Sequence, residues 1–174
     1  GGRGVAIFAL AAVLAFDTGR YFLRQRALEV LDARLYEGEA PARVAAFPTI
    51  FSPFRWQGLV ETSNAYRMFD VNLLAGQFDP AAGRTYYKPD RAPLMDLARQ
   101  TQPFETFFWF AKYPLWRLVP AEEPEGAWKV QALDLRFADP GEDHFCVTAI
   151  VTGDNRILRS WFQYEPPGAR PRMR

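Results

Sequence analysis

Residues 128–137 read WKVQALDLRF, and in the first part of this stretch Trp128, Val130 and Ala132 alternate with Lys129 and Gln131. A side-chain period of two puts neighbours on opposite faces, so the segment reads as a strand with one apolar and one wet face, as antiparallel sheets commonly have. Working outward, LWRLV at 115–119, FCVTAIVT at 145–152 and ILRSWFQY at 157–164 are also rich in β-formers. They are set apart by turn clusters such as Asp139-Pro140-Gly141 and Gly153-Asp154-Asn155. Further upstream, WQGLVET at 56–62 and YRMFDVNLL at 66–74 flank Ser63-Asn64-Ala65, the pattern of an antiparallel hairpin. About six strands are expected in one sheet.

Such a sheet needs cover on its apolar face, and the middle of the chain supplies it. In 92–100 (APLMDLARQ) Pro93 stands at a helix start, with Leu94, Leu97 and Ala98 on one side. In 104–111 the residues Phe104, Phe107, Phe108 and Ala111 share a helical face suited to core packing. Trp109 and Phe110 lie partly off that face and are expected against the sheet, the N-terminal helix or a membrane interface. The class is therefore α+β: an N-terminal helix, then an antiparallel sheet with two helices packed on one face.

The N-terminal helix begins in VAIFALAAVLAF at 5–16, which is unbroken but shorter than the roughly 20 apolar residues that cross a bilayer. From Leu23 the pattern becomes amphipathic, with Leu23, Ala27, Leu28, Leu31 and Leu35 spaced three and four apart among charged residues. Three readings compete: the end of a transmembrane helix running into an amphipathic stalk, one long helix packed in the core, and a signal remnant. The opening Gly1-Gly2 and the lack of a small-x-small cleavage site favour the first. Arg20, Arg24 and Arg26 then place the stalk on the cytoplasmic side. Residues 1–36 form this helical segment, 37–165 the α+β domain after a linker marked by Gly38, Pro41 and Pro48, and 166–174 a Pro-rich basic tail expected to be disordered.

Charge is balanced, 21 basic against 20 acidic side chains, so no basic stripe recommends nucleic acid as a partner. The single cysteine, Cys146, precludes an internal disulfide and sits in an apolar run that suits a buried, inert thiol. With one histidine, His144, and no G-x-S-x-G or Gly-rich phosphate loop, nucleophilic hydrolysis has no visible machinery and a zinc site lacks ligands. The acidic turn Asp139, Glu142, Asp143 and His144 is a weak candidate for a hard cation, against the plainer reading of a solvated loop. Paired carboxylates among Glu61, Asp70 and Asp134 are a remote acid–base option. Charges inside apolar strands are more distinctive: Arg55 or Arg136 is expected to pair with Glu61 or Asp134 across the sheet, more as a structural ion pair than as a ligand clamp. A ligand module would instead gather Trp56, Trp109 and Trp161 around an Arg55 or Arg136 anchor.

Pro53 with Trp56, Val60-Glu61-Thr62, the Phe- and Trp-rich helix at 104–111 and Leu135-Arg136-Phe137 together resemble the C-terminal region of the bacterial YdjM-type family of LexA-binding, inner-membrane metal-dependent hydrolases. The resemblance covers most of residues 5–165; Ser52 stands where that family often has Asn. It implies a bacterial inner-membrane location and a parent protein whose divalent metal is held by residues of a membrane-embedded half absent from this chain. It also implies no cofactor or catalytic residue in this chain itself, an accessory or substrate-recognition role, and LexA as a partner.

Overall fold

The computed structural model describes residues 2–50, 52–75, 78–90, 93–137 and 145–164. The basic tail at 166–174 lies outside the described residues. The chain has two compact units, Gly1–Tyr87 and Lys88–Arg174, each with its own sheet.

The first unit opens with helix α1, Gly2–Asp32, unbroken through the change in pattern near Gly19. Its 31 residues correspond to about 46 Å at 1.5 Å per residue. The helix is long and apolar enough to cross a membrane, since it continues well past the apolar run that ends at Phe16. Val5, Phe8, Leu10, Val13 and Phe16 are exposed along it. Near its end the amphipathic pattern takes effect: Ala27 and Leu31 have no exposed surface, and Leu23 and Leu28 pack beside them.

What α1 packs on is an antiparallel sheet ordered β1 (Arg43–Pro48), β2 (Arg55–Glu61), β3 (Ala65–Asn72) and β4 (Arg84–Tyr87). Ala46, Trp56, Val60, Phe69 and Val71 meet Ala27, Leu31 and Tyr36 in one core. Gly58 makes the close approach possible, because a Cβ there would stand 2.9 Å from both Leu31 methyl carbons. After the helix, Tyr36 and Glu39 exchange backbone hydrogen bonds of 2.9 and 3.1 Å across Glu37-Gly38, whose φ values of 53° and 85° make a tight reversal. The Glu37 carboxylate meets the buried Arg67 Nη2 at 2.6 Å, which ties this turn to β3.

The second unit contains α2 (Pro93–Arg99), α3 (Gln102–Phe110) and an antiparallel sheet ordered β5 (Pro114–Pro120), β6 (Trp128–Asp134), β7 (Cys146–Val151) and β8 (Ile157–Gln163). The two helices lie on one face of it, as the apolar stripes predict: Phe104 and Phe107 are fully buried with Val130, Ala132, Val147, Ala149 and Val151. Trp116 stacks on Phe104 and Phe108 with ring centroids 5.5 and 5.1 Å away.

The α+β class holds, with two corrections of detail. The described strands number eight, in two sheets of four, where one sheet of about six is expected. Of the extra pair, β1 lies in the stretch that reads as linker and β4 in a stretch where no strand is expected. The expected wet face of residues 128–137 is open only at Lys129, which is partly exposed: Gln131 has no exposed surface. Its Oε1 accepts from Arg117 Nε and Nη2 at 3.0 and 2.6 Å, and its Nε2 donates to Thr148 Oγ1 at 3.1 Å. Pairing among neighbouring strands replaces water, which is the condition for burying an amide.

Candidate functional site

Three groupings of polar side chains stand out. The first is a hollow of about 470 Å³ in the first unit, lined by Thr49, Arg55, Trp56, Asp70, Val71 and Asn72. The β2–β3 register builds it, since Arg55 faces Asn72 and Gln57 faces Asp70, which puts Arg55, Asp70 and Asn72 on one side of the sheet. Arg55 and Asp70 are both exposed, and among the described residues neither side chain has a partner. Asn72 Oδ1 accepts from the Leu74 backbone N–H at 3.1 Å, which leaves the amide NH₂ as a donor. Thr49 Oγ1 donates to the Arg55 carbonyl at 2.9 Å and keeps acceptor capacity. Trp56 is 2% exposed and its indole N–H donates to the Pro53 carbonyl at 3.0 Å, so it serves as wall and not as donor.

The second grouping lies at the far end of β2. Glu61 accepts from Arg43 Nε at 2.6 Å, its register partner on β1. Beside it the Tyr66 phenol is pushed well above its usual range, by burial first and by the charge and hydrogen bond of Glu61 second. Glu61 therefore has Arg43 and not Arg55 as its partner.

The third is at the end of β6, where Asp134 has no exposed surface. Its carboxylate accepts from the backbone N–H groups of Lys112 (2.8 Å) and Arg136 (3.0 Å) and from Arg136 Nη2 (2.7 Å). Arg136 Nη2 also donates to the Phe110 carbonyl at 2.9 Å, satisfying an acceptor at the end of α3. The expected Arg136–Asp134 pair is thus present, but within a turn two residues apart instead of across the sheet. Its donors are engaged in holding helix, turn and strand together.

The tryptophans divide. Trp109 is 86% exposed on α3, opposite the Phe104 and Phe107 face, while Trp161 on β8 lies under the Arg159 guanidinium at 4.9 Å. Of the three rings proposed for an aromatic pocket, Trp56 alone lines a hollow that also contains a candidate anchor, Arg55. Asp139, Glu142, Asp143 and His144 lie outside the described residues. Among the described residues no three His, Cys, Asp or Glu side chains gather as a metal-binding group. Thr49 and Asn72 escape sequence reasoning altogether; only the strand register brings them to Arg55.

In comparisons with known proteins, no family model, no curated protein and no solved structure matches this chain.

Proposed function

We propose that this chain is a membrane-anchored recognition domain, the accessory part of a bacterial inner-membrane metal-dependent hydrolase of the type it resembles. In this reading the exposed apolar part of α1 lies in the bilayer. The hollow at Arg55 receives a small ligand with an anionic group, and the metal chemistry belongs to another part of the parent protein. Arg20, Arg24 and Arg26 favour the cytoplasmic side for the sheet-bearing end of α1.

The observation that carries the reading is the contrast along one helix. Val5, Ile7, Phe8, Leu10, Val13, Leu14 and Phe16 are each more than half exposed, whereas Ala27 and Leu31 on the same unbroken helix are fully buried against the sheet. An exposed apolar surface running along several turns is costly in water and suits lipid, and about 20 residues suffice to cross it.

The test is fractionation of cells that express the chain. The wild type is expected in the membrane fraction, resistant to high salt and released by detergent. Leu10 and Val13 are 62% and 56% exposed, so arginine at both leaves the fold intact. Each arginine at mid-bilayer costs about 2.5–3.5 kcal/mol, and the Leu10→Arg, Val13→Arg chain is expected in the soluble fraction. A wild-type chain that washes off with salt would remove the proposal.

A further inference from the structure

We infer that the hollow at Arg55 binds a small zwitterion, a phosphate or carboxylate joined by a short linker to a primary ammonium. The inference rests on the recognition reading above and adds the ligand class. Arg55 and Asp70 sit on adjacent strands and on the same face, two residues off register. Diagonal neighbours of this kind have Cα atoms about 7–8 Å apart, within reach of an arginine. Elsewhere in this sheet opposite charges within reach do close: Arg43 on Glu61 at 2.6 Å and Arg67 on Glu37 at 2.6 Å. Arg55 and Asp70 do not close on each other or on any described residue, and both line the hollow.

A simple anion drawn to Arg55 meets repulsion from Asp70, and a simple cation drawn to Asp70 meets repulsion from Arg55. A molecule carrying both signs satisfies both. The guanidinium takes a phosphate or carboxylate in a two-pronged hydrogen bond, assisted by the amide NH₂ of Asn72, which also lines the hollow. The Asp70 carboxylate and the spare lone pair of Thr49 Oγ1 accept from the ammonium. At about 470 Å³ the hollow has the volume of a small-molecule site.

Calorimetric titration of the detergent-solubilised chain with O-phosphoethanolamine tests this, with ethyl phosphate and ethanolamine as the two half-ligands. O-phosphoethanolamine is expected to bind at least tenfold more tightly than ethyl phosphate. Asp70→Asn should erase that factor while leaving ethyl phosphate binding within twofold, and Arg55→Gln should abolish binding of both phosphates. Both positions are exposed, and unchanged melting curves confirm that the variants fold. Repeating the titration in nanodiscs separates the sources. If phosphatidylethanolamine discs abolish O-phosphoethanolamine binding and phosphatidylcholine discs preserve it, the zwitterion is a lipid headgroup. Equal binding in both makes it a soluble molecule. Equal affinity for ethyl phosphate and O-phosphoethanolamine overturns the zwitterion and leaves anion recognition standing. Failure of both phosphates to bind overturns the zwitterion and anion recognition together.

Discussion

Two carboxylates show how differently one residue type is used. Asp134 is completely enclosed, and its oxygens are occupied by two backbone N–H groups and the Arg136 guanidinium, which also reaches the Phe110 carbonyl. Removing the carboxylate leaves a partly buried cation without its counter-charge and two amides without that acceptor, so Asp134→Ala is expected to cost about 3–5 kcal/mol. The Arg43–Glu61 pair is shorter but half open, with the Arg43 side chain 48% exposed. Water screens such a pair, and Arg43→Ala is expected to cost less than about 1 kcal/mol. Denaturant midpoints of the two variants, followed by tryptophan fluorescence at constant slope, separate the cases. Equal losses would mean that the β6 turn does not fasten helix to strand.

At the scale of elements, the helices are legible from their apolar period and six of the eight strands from their β-formers and the turns that bound them. Strand β1 is not. Its run RVAAFP contains two alanines, weak strand formers, and it follows Pro41 and ends at Pro48, a pattern that reads as a linker. As an edge strand it tolerates the terminal proline, and pairing with β2 supplies what propensity lacks. That omission carries into the site: with β1 unseen, Arg43 is not a candidate and Glu61 is matched to the wrong arginine. Likewise Asp70 and Asn72 come beside Arg55 only through the β2–β3 register, and Thr49 only through the β1–β2 pairing, which no local pattern states. The seating of α1 is equally hidden, since it depends on Gly58 admitting Leu31. Gly58→Ala is expected to cost about 1–3 kcal/mol by crowding those methyls. Leu31→Ala is costly alone, at about 2–5 kcal/mol. Combined, the two should cost less than their sum, because the shortened side chain vacates the space the new Cβ needs. A double-mutant cycle that adds within about 0.5 kcal/mol would show that the two residues do not share that contact.

For the molecule as a whole, balanced charge hides an asymmetry in how its stability responds to pH. Two phenols are buried in the first unit: Tyr36, which donates to the Leu31 carbonyl at 2.7 Å, and Tyr66 beside Glu61. Burial pushes Tyr36 up to about 12 from 10, and Tyr66 is raised in the same direction. The folded chain therefore holds these protons where the unfolded chain releases them. By linkage their contribution is fully present below pH 10 and is lost as pH rises from 10 towards 12. A tenfold difference in proton affinity between folded and unfolded chain is worth about 1.4 kcal/mol, so Tyr36 alone should take about 1 kcal/mol from the stability by pH 11. Denaturant midpoints measured from pH 9 to 11.5 should fall in the wild type. In the Tyr36→Phe, Tyr66→Phe chain the curve should start lower, with the hydrogen bonds to Leu31 and Glu61 gone, and be markedly flatter. Such a difference in slope cannot come from lysine or arginine titration, which both chains share. Parallel curves would mean that neither phenol holds its proton in the folded state, and would contradict the enclosed core that joins α1 to its sheet.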